Sequence, residues 1–218
     1  MASSSEKSRV TYVFDAYCGW CYGLGPAVRQ FAQDHSDTVT LSVVSGGLYI
    51  GDRTVPMSTI PHLATANATI AERTGAVFDD RYVQFVTDGT FVMDSMDAAI
   101  GLAALRAQAP SKAVELASAM QSAFYSQGLS LSDPETYRDI ARQFGLNSTL
   151  VVSSLFDPEV NNDARADFAL ARELGATSFP TLFFHGNDGS TVRFGSPTST
   201  AAELGRDVKS CMRAYAAA

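Results

Sequence analysis

Two cysteines separated by two residues are the part of this sequence best suited to chemistry. Cys18 and Cys21 lie between an apolar run over 10–14 and a helical pattern over 24–31. The first turn of a helix has unpaired N–H groups and a partial positive charge, so a thiol there loses its proton more readily. The thiolate is the species that attacks disulfides. We therefore expect Cys18 to be an exposed, ionised nucleophile and Cys21, one turn further in, to be the resolving thiol.

Zinc binding is the structural alternative for such a pair. A four-ligand zinc site needs a second pair of ligands. The remaining cysteine is Cys211, and the three histidines stand singly at positions 35, 62 and 185. The strand-to-helix context favours a redox motif. We therefore predict no metal site, and we assign Cys211 as a small buried hydrophobic residue.

The composition limits the partners of the chain. Its 218 residues carry a formal net charge of -7, which argues against nucleic acid because that binding depends on Lys and Arg. No stretch approaches the roughly 20 apolar residues of a membrane span. The segment before residue 10 does not read as a secretory signal, and three cysteines imply no disulfide scaffold. We expect a cytoplasmic protein, and an exported protein lacking its leader stays as an alternative.

Apolar patterns predict an α/β fold. The runs that are short and rich in β-branched or aromatic residues predict strands at 10–14, 39–44, 181–184 and 191–194. A strand-helix-strand unit needs a parallel pair and a hairpin an antiparallel one, so the central sheet should be mixed. We expect residues 9–60 and 158–218 to form one domain, and residues 61–157 to form a large all-helical insertion with apolar stripes at helical spacing.

Local signals predict several element boundaries. Asp-Pro pairs at 133–134 and 157–158 are typical helix starts, and Asn147 is a candidate N-cap. Gly175 is expected to end the helix that begins at 158. The glycine pair at 46–47 follows a strand with no phosphate-binding signature, and we interpret it as a plain turn.

The order of these elements, with the cysteine pair early and Ser178-Phe179-Pro180-Thr181 late, resembles the thioredoxin superfamily and its DsbA-like branch. The segment 15–23 is similar to the FrnE-like, or predicted protein-disulfide isomerase, group. The resemblance spans residues 10–215. It implies a thioredoxin-like fold and a thiol-disulfide oxidoreductase of the isomerase or reductase type. It further implies protein or peptide disulfides as substrates, no bound cofactor, and a reductant or oxidant such as glutathione for recycling.

Individual residues carry over from this resemblance. Cys18 matches the nucleophile, Cys21 the resolving cysteine, and Pro180 the cis-proline that faces the disulfide. A cis bond there would turn the backbone of Phe179 toward the site, where its N–H and C=O can pair with an extended peptide. Trp20, between the cysteines, is a further candidate for substrate contact.

The chain departs from the family pattern at two places. The acid that many thioredoxin-like proteins carry six residues before the first cysteine is replaced by Tyr12. Asp15 is then a possible proton carrier for Cys21, although we favour the alternative of a loop carboxylate bonded to backbone N–H groups. The residues between the cysteines include no histidine, so we expect a less oxidising protein than the strongly oxidising members.

Two further functional classes remain open. Kappa-type glutathione transferases and hydroxychromene-carboxylate isomerases share the helical insertion and use glutathione, but typically place serine where this chain has Cys18. The second class is non-enzymatic: a chaperone, or a metal-binding module with the thiols as ligands. Activity that survives loss of Cys21 would favour the first class, and a stoichiometric zinc signal the second.

Overall fold

The structure is a computed structural model that describes residues 7–215. Within this part of the chain the strands are β1 (Ser8–Phe14), β2 (Val39–Ser45), β3 (Thr181–His185) and β4 (Thr191–Phe194). The helices are α1 (Gly19–Asp34), α2 (Leu63–Thr74), α3 (Asp80–Asp88), α4 (Ser95–Gln108), α5 (Ala113–Tyr125), α6 (Pro134–Gln143), α7 (Ser148–Ser154), α8 (Pro158–Glu173) and α9 (Ala201–Tyr215). No helix of this described part is both long enough and apolar enough to cross a membrane.

The four strands form one mixed sheet in the order β2-β1-β3-β4. β1 pairs in parallel with β2, so that Tyr12 lies opposite Val43, and antiparallel with β3, so that Tyr12 also lies opposite Leu182. β3 and β4 form the antiparallel hairpin. The predicted α/β class and the mixed sheet are therefore confirmed.

β1 is central because its apolar run is buried on both faces. Successive strand side chains point to opposite faces. Tyr12 and Phe14 join the main core cluster, which includes both active-motif cysteines, whereas Val13 packs on the other face with Val44 and Phe183. Helices therefore cover both sides of the sheet, with α1 on the face of Tyr12 and α8 on the face of Val13.

The predicted helix starts are confirmed by their caps. Asp133 and Asp157 accept hydrogen bonds from the backbone two residues on, each with a proline at the first helical position. Asn147 caps α7 by accepting from the N–H of Leu150. α8 ends at Glu173, just before Gly175, whose positive φ of 72° suits glycine.

An ion pair joins helices α4 and α8 to strand β2 of the sheet. Arg106 of α4 donates to both carboxylate oxygens of Asp167 in α8, at 3.0 and 3.1 Å, and to the carbonyl of Val43 at 2.6 Å. Asp167 also accepts from the N–H of Ser45 at 3.0 Å. One pair of side chains thus connects α4, α8 and β2. The division of the chain at residues 61 and 157 stays a prediction.

Cys211 is less buried than we expected from the sequence. This residue lies on α9 and is only partly buried. α9 is amphipathic, and its buried face consists of Leu204, Gly205 and Val208. Cys211 therefore lies at the boundary of the core rather than inside it.

Candidate active site

The cysteine pair occupies the first turn of α1. Cys18 is the N-cap residue, with extended backbone angles (φ −86°, ψ 109°), and its sulfur accepts a hydrogen bond from the N–H of Cys21 at 3.2 Å. The N–H of Cys18 donates to the carbonyl of Asp15 at 3.1 Å, which closes the turn between β1 and α1. A helix N-terminus favours negative charge at this sulfur. The structure therefore places the two sequence-predicted cysteines together, as expected.

Cys18 is buried rather than exposed, which corrects the expectation from sequence. Only 5% of the residue is accessible. Its sulfur lies 3.4 Å from the carbonyl oxygen of Phe179, to which the thiol donates. Next to it, a Cβ on Gly19 would lie 2.8 Å from Ile70 of α2. The loop before β3 thus contacts a sulfur that the sequence placed at the surface, and α2 packs against the neighbouring Gly19.

Cys21 is the more deeply buried of the two sulfurs. It has no accessible surface. Burial, and after it the side-chain hydrogen bond with Cys18, raise the pKa of Cys21 well above its ordinary value. Burial therefore opposes formation of the thiolate at Cys21.

The late proline faces the cysteine pair. The peptide bond between Phe179 and Pro180 is cis, and the carbonyl of Phe179 is the oxygen that contacts the Cys18 sulfur. Gly46 makes this approach possible, because a Cβ there would lie 2.1 Å from the Phe179 ring. Sequence reasoning took Gly46 for part of a plain turn and missed this contact. No local signal could have paired it with a residue so far along the chain.

Asp15 supports the loop in front of α1. It is 2% exposed, and its two carboxylate oxygens accept from the N–H groups of Tyr17 at 3.0 Å and Leu48 at 2.8 Å. Burial raises the pKa of Asp15, and the bonds from Leu48 and Tyr17 act against that rise. The geometry is that of a loop carboxylate bonded to backbone N–H groups, the alternative weighed from sequence.

Trp20 lies in the first turn of α1 and is partly buried against the main core. Gly23, one turn further, also lies against α2, since a Cβ there would be 2.6 Å from the hydroxyl of Thr74. These glycines let α2 pack closely along the start of α1. A substrate contact by Trp20 stays a prediction.

The part of the chain described by the structure, residues 7–215, contains no group of three or more His, Cys, Asp or Glu side chains placed to hold a metal ion.

The fold and the dithiol at the start of α1 define the class: a thiol-disulfide oxidoreductase of the thioredoxin type.

Comparison with known proteins specifies the family. The chain belongs to the family of the DSBA-like thioredoxin domain, whose model matches residues 9–202. This confirms the resemblance and the thioredoxin-like fold inferred from sequence. A search of curated proteins gave no sequence match.

Solved structures share the fold over nearly the full length. One is a "putative protein disulfide isomerase" from Nitrosomonas europaea, 18% identical, with a TM-score of 0.84 over 96% of this chain and 100% of that one. Another is the cytosolic disulfide reductase DsbM from Pseudomonas aeruginosa, 20% identical, with a TM-score of 0.77 over 96% of this chain and 100% of the other. DsbM with GSH is similar too, with 20% identity and a TM-score of 0.73 over 94% of this chain and 98% of DsbM.

Proposed function

We propose that the protein exchanges disulfides with protein or peptide substrates through Cys18 and Cys21, as a reductase or isomerase. The Cys18 thiolate attacks a substrate disulfide and forms a mixed disulfide, while the other substrate sulfur leaves as a thiol. Cys21 then attacks Cys18, which releases the second substrate thiol and leaves a disulfide between the two cysteines. The observation that carries this proposal is the Cys18 sulfur at the N-cap of α1, 3.2 Å from the Cys21 N–H.

The backbone beside the cis-proline supports a peptide as substrate. Phe179 lies in the loop just before β3, and its carbonyl already contacts the Cys18 sulfur. An extended chain that lies along this loop can pair with its main-chain groups, as peptides do when they add to a strand. Trp20 is proposed to contact the same chain from the side of α1.

Recycling of the pair needs a second redox partner. We assign this role to glutathione acting as a diffusible reductant, with no cofactor bound permanently. DsbM, which shares this fold, is described as a cytosolic disulfide reductase and has been solved with GSH. A cytoplasmic site of action fits the same proposal, since glutathione keeps thiols reduced there.

Replacement of single cysteines tests the mechanism. Cys18→Ser should lower the rate of insulin disulfide reduction by glutathione to background, because no nucleophile remains. Cys21→Ser should instead accumulate a covalent mixed disulfide with substrate, because the resolving attack is lost. Mass spectrometry of the intact chain detects that adduct.

Cys211→Ser is the matched control, since this third cysteine lies on α9 and is partly buried. It should retain the parent rate. Full turnover by Cys18→Ser would exclude the mechanism, and activity that persists in Cys21→Ser without an adduct would favour a glutathione transferase.

A further inference from the structure

Tyr12 has a buried hydroxyl that the fold does not use. The residue lies on the central strand β1, is 3% exposed, and pairs with Val43 on one side and Leu182 on the other. Its oxygen has no hydrogen-bond partner of good geometry, a condition shared among the described residues by the hydroxyls of Tyr17 and Ser190 alone. An unpartnered buried hydroxyl destabilises a fold, and such a group calls for an explanation.

The neighbour of this hydroxyl is the resolving cysteine. Tyr12 points to the face of the sheet that α1 covers, where it shares a core cluster with Cys18 and Cys21. Burial first, and then the charge and side-chain contact of Cys21, raise the pKa of Tyr12 well above its ordinary value. Tyr12 therefore keeps its proton at physiological pH, so its O–H can donate a hydrogen bond to a thiolate at Cys21.

The other groups that face Cys21 do not offer a free donor. Cys18 is consumed by the mixed disulfide when Cys21 must ionise. The Asp15 carboxylate lies close enough to oppose a negative charge on Cys21. Tyr125 of α5 is fully buried, and Cys21 acts on its pKa through charge alone. Tyr12 combines an unpartnered buried hydroxyl with a position beside Cys21 on the face of the sheet that α1 covers.

We infer that the Tyr12 hydroxyl donates a hydrogen bond to the Cys21 sulfur as that sulfur becomes a thiolate in the resolving step, an inference that rests on the proposed function. The Cys21 sulfur forms a bond to the Cys18 sulfur, and the bond between Cys18 and the substrate sulfur breaks. The electron pair leaves with the substrate sulfur, which takes up the proton that Cys21 released to solvent. Tyr12 loses no proton and acts only on the stability of the thiolate.

A two-phase reaction separates attack from resolution. The chain, carrying Cys211→Ser so that only the pair reacts, is mixed with an aromatic disulfide whose released thiolate absorbs visible light. The first phase reports attack by Cys18, and the second reports displacement by Cys21. Both rates are measured as a function of pH in stopped flow.

Tyr12→Phe should leave the first phase within about twofold of the parent and slow the second about tenfold near neutral pH, since a hydrogen bond to a charged group is of that strength. The midpoint of the pH profile of the second phase should rise. Tyr17→Phe is the matched control, because its hydroxyl is also buried without a well-aligned partner and lies near Ser132 rather than near a cysteine. It should change neither phase by more than about twofold.

Three results would overturn the inference: an unchanged second phase, an equal slowing of both phases, or an equal slowing by Tyr17→Phe. If Tyr12→Phe folds poorly, a second measurement is made in the presence of a stabilising osmolyte. The Cys21 thiol is titrated in two variants, Cys18→Ala alone and Cys18→Ala combined with Tyr12→Phe. The pKa of Cys21 should be higher without the hydroxyl, and an equal value would contradict us. A parent chain that shows no first phase contradicts the proposed function itself and removes the basis of the inference.

Discussion

At the start of α1 two sulfurs within one helical turn have different surroundings. Cys18 contacts a backbone N–H and a carbonyl oxygen, whereas Cys21 has no accessible surface and sits against Tyr12 and Cys18. The spacing of the pair and its helix-start position were predictable, because both depend on residues close together in sequence. The burial of Cys18 was not, because a carbonyl oxygen that contacts it comes from the remote residue Phe179.

The role of Asp15 can be tested at the same scale. Because its two oxygens already accept from two backbone N–H groups, we expect Asp15→Asn to leave the resolving phase of the two-phase reaction within about threefold of the parent. Asp52→Asn, an exposed carboxylate, is the control for the loss of one charge. A resolving phase that slows by an order of magnitude in a folded Asp15→Asn variant would instead identify Asp15 as the proton carrier.

The raised pKa of Asp15 also fixes the sign of a pH effect on stability. Because its folded pKa lies above the unfolded value, its neutral form is favoured in the fold. This contribution is complete below the unfolded pKa and is lost as pH rises through the folded pKa. The unfolding free energy of the parent, measured in urea, should therefore fall over that window relative to Asp15→Asn. Parallel curves for the two proteins would contradict this assignment.

At the scale of elements, glycines set how closely the helices and loops around the site approach one another. Periodicity and capping residues were sufficient to predict the strands and helix starts, such as Asp133 before α6 and Asp157 before α8. The contacts of Gly23 with Thr74 and of Gly46 with Phe179 were beyond that reasoning. Each depends on how two elements that are distant in sequence meet, and an isolated glycine carries no sign of its partner.

Gly46→Ala tests the contact beneath the cis-proline loop. The added methyl would lie 2.1 Å from the Phe179 ring, so that ring must move and carry its carbonyl away from Cys18. We expect a loss of about 1–3 kcal/mol in the free energy of unfolding, the usual cost of overpacking, and a slower first phase of thiol attack. Urea unfolding and stopped flow measure the two effects.

Gly25→Ala is the control for that variant. Its new Cβ would meet its nearest neighbour, Gln121, at an ordinary 3.6 Å inside α1. Alanine there should keep the parent rate and should not lower stability, because alanine favours helix over glycine. Equal behaviour of the two variants would show that the Phe179 contact does not position the site.

At the scale of the whole molecule, one sheet and a helical block share a core around the cysteines. Arg106 and Asp167 join α4 and α8 to β2 through backbone groups of Val43 and Ser45. Removing either Arg106 or Asp167 would leave the charge of the other partly buried and uncompensated. The ion pair therefore holds α4 and α8 against the sheet. Apolar patterns predicted the mixed sheet and the helices, whereas the side chains that join them became visible only in the fold.

The central claim is that Cys18 and Cys21 form one reversible two-electron couple. Equilibration of the Cys211→Ser chain with glutathione buffers of graded ratio, followed by thiol alkylation and peptide mass spectrometry, measures this directly. We predict a single transition from two free thiols to an internal disulfide between Cys18 and Cys21. Its midpoint should lie at a more reducing glutathione ratio than the midpoint of the strongly oxidising members of the family. Free thiols at every ratio, or glutathione adducts on Cys18 with no internal disulfide, would contradict the account.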